Sequence, residues 1–200
     1  MSDPIKFYFA CVSPWSYLAI DALKEIAEKH GRTVVYKPTD VGRTWGATGA
    51  GRPLGDRPEV LQTYRLIELP RWAKWRDVPI NTEPKHFPAP FLLSSNVIIA
   101  ASQSGADMYE ITRALMRGCW VDEKNVGDPA DVAAIVDSVD LDGKTLVKAA
   151  ESEAVAAELA ANTEESLADG TWSVPSFVVD GEPFFGQDRL EMIDWRLSGN

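Results

Sequence analysis

Ile5-Lys6-Phe7-Tyr8-Phe9-Ala10, followed almost at once by Ser13-Pro14-Trp15-Ser16-Tyr17-Leu18-Ala19, is the stretch that decides how this chain folds. The first run is aromatic and β-branched and reads as a strand. Over 17–30 the apolar residues Ala19, Leu23, Ile26 and Ala27 recur as the stripe of an amphipathic helix, which Gly31 ends. Ser13-Pro14-Trp15-Ser16 therefore marks a strand running into a helix, with hydroxyls where a C-x-x-C pair would place thiols. This corner cannot form a disulfide. A helix start leaves backbone N–H groups unpaired and carries partial positive charge, which suits an anion. Ser13 has two readings here: an ordinary N-cap, for which serine is a preferred residue, or a hydroxyl facing a bound anion.

Working outward, Val174-Pro175-Ser176-Phe177-Val178-Val179-Asp180-Gly181-Glu182-Pro183-Phe184-Phe185-Gly186 reads as strand, Asp-Gly turn, strand. A helix capped by Asp188 follows, with Leu190, Ile193 and Leu197 on its buried face. Pro175 opens its strand either as an ordinary trans edge residue or as a cis one. Between the two ends lie a strand at 33–37 and a Gly- and Arg-rich stretch at 41–57 that is expected to be irregular through much of its length. A helix should occupy 58–76, with Pro70 kinking or splitting it, and a proline-rich loop 81–90. Further helices are expected near 95–104, 107–119, 129–138, 143–151 and 153–169, with Asp107 and Glu110 spaced as a capping box.

In order and spacing these motifs resemble the 2-hydroxychromene-2-carboxylate isomerases and kappa-class glutathione transferases, a DsbA-like branch of the thioredoxin superfamily with serine at the redox cysteine. The matching stretches are Phe7-Tyr8-Phe9 with 13–19, Tyr64-Arg65-Leu66-Ile67-Glu68-Leu69-Pro70-Arg71-Trp72, and 172–181 with 185–190. The likeness runs from residue 5 to about 197. It implies an α/β, thioredoxin-like (DsbA-type) fold with a large all-helical insertion: residues 1–40 and 170–200 form the thioredoxin-like part and 41–169 the insertion. It also implies a cis Pro175 opposite the start of the first helix, and a homodimer.

Composition fits a compact enzyme. Apolar residues make up 45% of the 200, ample for a core. The net charge of −10 argues against nucleic acid or an anionic membrane surface as partner. No apolar run is long enough to span a bilayer, and the first strand begins almost at Met1, so no signal peptide and a cytoplasmic location are expected. Cys11 and Cys119 do not make a disulfide framework. Cys11 lies before the helix start and reads as a small core residue rather than a redox group. No metal is called for, and His30 and His86 form no triad with Ser13 or Ser16.

The resemblance also implies the chemistry. Glutathione's thiol, with a pKa near 8.5, is only a few per cent ionised at neutral pH. Bringing it to about 6.5 requires roughly 2.7 kcal/mol of preferential stabilisation of the anion. Ser13 would supply a hydrogen bond to sulfur and would be no covalent nucleophile. Trp15 and Pro175 would flank the cofactor and the Val174 backbone would pair with its cysteinyl part. Gln187 and Asp188 would hold the γ-glutamyl end, Asp188 as cap, as ligand, or as both. Arg43, Arg52 and Arg57 are candidates for a substrate carboxylate, with Trp45 and His86 as further lining, although exposed arginines are commonly just solvated. The kappa-class loop asparagine is absent, since 49–53 reads Gly-Ala-Gly-Arg-Pro. In the family reaction the thiolate adds reversibly to a conjugated aromatic carboxylate, the former double bond rotates, and elimination restores glutathione. The rivals are a kappa-like transferase that consumes glutathione and a non-catalytic thioredoxin-like binding module.

Overall fold

A computed structural model describes residues 3–200. Its centre is a four-stranded sheet in the order β2-β1-β3-β4, with β1 at Ile5–Phe9, β2 at Val34–Pro38, β3 at Ser176–Val179 and β4 at Glu182–Phe185. β1 runs parallel to β2 and antiparallel to β3, and β3 and β4 form the hairpin expected from Asp180-Gly181. Both turn residues adopt positive φ, 50° and 83°, as that hairpin requires. Pro183, which has no N–H to give, sits on the edge strand β4.

The parallel β1–β2 pair needs a crossover, supplied by α1 (Pro14–Lys29). Phe7 stacks on Phe9 and on Phe177, with ring centroids 4.8 and 5.3 Å apart, and the buried face of α1 joins this layer through Ile20, Leu23 and Ala27. The last helix, α9 (Leu190–Leu197), packs against α1, and Lys29 and His30 at the end of α1 both reach Asp194 on it. Seven helices lie between β2 and β3: α2 (Val41–Thr48), α3 (Glu59–Arg76), α4 (Leu92–Gln103), α5 (Met108–Trp120), α6 (Pro129–Asp137), α7 (Gly143–Ala149) and α8 (Glu153–Ala168). One hydrophobic cluster runs from Ile5 and Phe7 through Ile98, Leu115 and Val136, so the inserted helices share the sheet's core. A boundary at 40 and another at 169 is therefore a proposal that rests on connectivity.

Three expectations need correction. The 41–57 stretch is not irregular throughout, because α2 fills half of it. Gly42 and Gly46 each cost about 1 kcal/mol of helix propensity. The ends compensate: Asp40 accepts from the Arg43 N–H at 3.1 Å, Gly49 closes the helix at φ 67°, and α2 packs on α8. Pro70 does not split α3, which runs unbroken because the proline sits on its exposed face, where an unpaired carbonyl can meet water. Asp188 does not cap α9. Gly186, at φ 102°, turns the chain into a 3-10 turn at Gln187–Arg189, and Asp188 lies inside that turn with no capping hydrogen bond. Its carboxylate accepts from Arg189 at 2.8 Å instead.

Candidate active site

The corner at the start of α1 is tightly specified. Ser13 N–H donates to the Ala10 carbonyl at 2.9 Å, and the Ser13 carbonyl accepts from Tyr17 at 3.0 Å. Ser13 is the N-cap, half-buried, and its Oγ accepts from the Ser16 N–H at 3.2 Å. A hydroxyl that caps by accepting keeps its own proton free to donate. Of the first-turn amides, Pro14 has no N–H and that of Ser16 goes to Ser13, which leaves the N–H of Trp15. One hydroxyl and one amide thus stand at the positive end of the helix dipole.

The second wall is the chain leading into β3. The β1–β3 register pairs Tyr8 with Ser176; continued two residues, it sets Pro175 beside Phe9 and Val174 beside Ala10, next to Ser13. Val174–Pro175 is a cis peptide. The Pro175 carbonyl accepts from Gly186 at 2.9 Å. Among the described residues, the Val174 backbone makes no hydrogen bond to the protein. Ser176 Oγ donates to the Ser173 carbonyl at 2.7 Å, and Trp45 Nε1 donates to Ser173 Oγ at 3.1 Å, tying α2 to this wall.

The third side is the 3-10 turn. Gln187 is 3% exposed. Arg76, at the end of α3, donates to Gln187 Oε1 at 3.1 Å and to its carbonyl at 2.8 Å. The turn contacts α1, and Trp15 packs with Leu18 against Leu69 of α3. Ser13, Trp15, Val174 and Pro175 therefore gather around the start of α1, and Gln187 lies in a turn that contacts the same helix.

The basic candidates separate. Arg43 pairs with Glu164 on α8, and Arg52 is exposed and gives its carbonyl to Arg57 Nε. Arg57 is half-buried with its guanidinium 5.7 Å from the centroid of Trp45. Burial holds its pKa below the usual guanidinium value. His86 is half-buried in the loop between α3 and α4. A cavity of about 410 Å³ between α5 and α6 is lined by Arg113, Arg117 and Ile135 and holds none of the site residues.

A sequence model of the DsbA-like thioredoxin domain matches residues 4–198. The chain belongs to the DsbA-like thioredoxin family. A 2-hydroxychromene-2-carboxylate isomerase of Sphingobium xenophagum is 30% identical over 97% of both chains, which puts this member in the isomerase branch. Glutathione S-transferase kappa 1 of Caenorhabditis elegans is 23% identical, over 94% of this chain and 88% of that one. The fold matches a solved 2-hydroxychromene-2-carboxylate isomerase at a TM-score of 0.84, with 23% identity and coverage of 97% and 94%.

The corner that begins α1 carries two serines, Ser13 and Ser16. Ser16 is fully buried, and its Oγ has no hydrogen-bond partner among the described residues. Cys11 and Cys119 are free and buried, and burial pushes each thiol up to about 12, far from the reactive range. The sequence reading missed Arg76, Arg65 and Ser173. Arg76 carried no local signal, because its partner Gln187 is 111 residues away.

Proposed function

We propose that this chain is a glutathione-dependent isomerase of conjugated aromatic carboxylates, of the 2-hydroxychromene-2-carboxylate type. The observation that carries the reading is Ser13, whose hydroxyl is fixed at the start of α1 with its proton free. Glutathione fits the surroundings by chemistry: the Val174 backbone is an unpaired donor and acceptor, and Gln187 is held by Arg76. Glutathione, when bound, supplies a thiolate that adds reversibly to an electrophilic carbon and is regenerated.

The residues do the rest. Ser13 Oγ–H and the Trp15 N–H hold negative charge at the helix start, and the α1 dipole adds to them. Val174 pairs with an extended peptide backbone, as an edge strand would. Pro175 and Trp15 shape the apolar walls, and Gln187 and Asp188 meet the γ-glutamyl group. Trp45, bonded to Ser173, and Arg57 over its ring would meet an aromatic acid.

The test is turnover of 2-hydroxychromene-2-carboxylate with and without glutathione. The reading predicts an absolute glutathione requirement without depletion of the thiol, and Ser13→Ala folded but nearly inactive. Turnover without glutathione would contradict it. The likeness to the kappa transferase favours a second reading in which the conjugate leaves. Loss of free glutathione in proportion to electrophile consumed would select that one. The same proposal includes a role in aromatic catabolism, a cytoplasmic location and a homodimer; no described helix is long and apolar enough to cross a membrane. A second copy would have the outer face of α3 to cover, where Val60, Leu61, Tyr64, Ile67 and Trp75 are exposed.

A further inference from the structure

Arg65 is the anomaly of this fold. The buried side chains of α3 are Arg65, Leu69 and Ala73, one per turn. Leu69 and Ala73 pack with Leu18 of α1 beside Trp15, so the same stripe sets Arg65 one turn further along. An arginine in a core stripe is ordinarily paired with a carboxylate. Arg65 is 9% exposed, and among the described residues it takes part in no salt bridge and its Nη2 has no hydrogen-bond partner. The rest of the guanidinium fork keeps what little solvent access the residue has.

What surrounds it is aromatic and basic. The guanidinium lies 5.1 Å from the centroid of Phe87 and 5.6 Å from that of Trp120. Cation–π contacts offset part of the cost of burying a charge, but not an unsatisfied fork. Arg65's pKa is lowered by burial first and by the charge of Arg57 second, with Glu83 the weaker opposing influence. Arg57 in turn lies over Trp45, which is bonded to Ser173 beside Val174. Arg65 is thus a buried cation among aromatic rings, and among the described residues no carboxylate meets its fork.

We propose that Arg65 binds the carboxylate of a planar aromatic acid, whose ring lies among the surrounding aromatic side chains. Guanidinium forks take carboxylates in bidentate fashion, and an aromatic-walled site suits a planar ring. That the acid is the isomerase substrate rests on the function proposed above; the receptor itself rests on these residues alone.

The experiment titrates chromone-2-carboxylate, a planar acid whose double bond is locked in the ring and cannot isomerise, and chromone-2-carboxamide, its neutral counterpart. Wild type, Arg65→Met and Arg65→Lys are followed by calorimetry, with glutathione titrated separately and melting recorded without ligand. The acid should bind wild type with salt-sensitive affinity and bind Arg65→Met roughly tenfold or more weakly, as loss of a hydrogen-bonded charge predicts. The amide should bind weakly to both. Arg65→Met should melt higher than wild type, since it removes an unpaired buried cation, and its glutathione affinity should be unchanged. Arg65→Lys, which keeps the charge and loses the fork, gives the same reading if the methionine variant does not fold. Equal affinity of the acid for wild type and variant, no binding of the acid to wild type, or equal binding of acid and amide overturns the receptor. Failure of glutathione to bind while the acid still does overturns the isomerase reading instead.

Discussion

Replacing Arg76 with methionine separates how the proposed cofactor would be held from how it would react. Arg76 spans α3 and the 3-10 turn, with hydrogen bonds of 3.1 and 2.8 Å to Gln187 and an ion pair of 3.0 Å to Glu191. Glu191 is 58% exposed, so that pair contributes little. The Gln187 bonds matter more, because Gln187 is buried and each lost charged donor leaves an acceptor to desolvate, at about 1–3 kcal/mol. Water can reach part of the turn, so the sum is about 2–3 kcal/mol. For a chain of this length that is a fall in melting temperature of about 5–10 °C. If the turn holds the γ-glutamyl end, loosening it should weaken glutathione binding by roughly tenfold. Turnover at saturating glutathione should stay near wild type, because nothing at Ser13 is touched. Denaturant melts, glutathione calorimetry and kcat at saturation make the measurement. Unchanged glutathione affinity in a clearly destabilised variant would refute the reasoning and leave Arg76 a structural brace.

Two other predictions concern the frame around the site. Lys29, first, and His30 hold the Asp194 carboxyl below the usual carboxylate range. A depressed carboxyl stabilises the fold above its unfolded pKa, and the gain is lost as pH falls through the folded value. Asp194→Asn should therefore be less stable than wild type near neutrality, with the gap closing as pH drops below about 4; a gap that persisted in acid would rule out this ion pair as its source. Cys11 and Cys119, with thiols pushed up to about 12, should label with an aromatic disulfide reagent only after unfolding. A thiol that labels rapidly in the native protein would reopen a redox role.

The outline of the fold was legible because its signals are local. The β1–α1 corner announces itself in six apolar-rich residues, Ser13 and Pro14, and the β3–β4 hairpin in Asp180-Gly181. α2 was hidden by glycines whose low propensity is overridden by Asp40, Gly49 and packing on α8. Asp188 looked like a cap because an acid before an apolar stripe commonly is one; the left-handed Gly186 redirects it. Ser13 proved to be the cap that its type suggests, and the donor role proposed for it is compatible with that, since capping uses the oxygen and not the proton. Arg65 drew no reading of its own beyond its place in the 64–72 stretch. Only the tertiary contacts of Phe87 and Trp120 bring it into the interior.

The most direct test is the ionisation of glutathione while bound, followed by thiolate absorbance against pH in wild type, Ser13→Ala and Ser13→Gly. Losing one charge-assisted donor should raise the bound thiol's midpoint by about one pH unit or more in both variants, carrying the acid limb of turnover with it. Alanine should also cost about 1 kcal/mol as a poor cap, whereas glycine costs a few tenths, so the two should differ in stability and agree in titration. A midpoint that stays at the wild-type value in both, with stability alone altered, would make Ser13 a cap and nothing more.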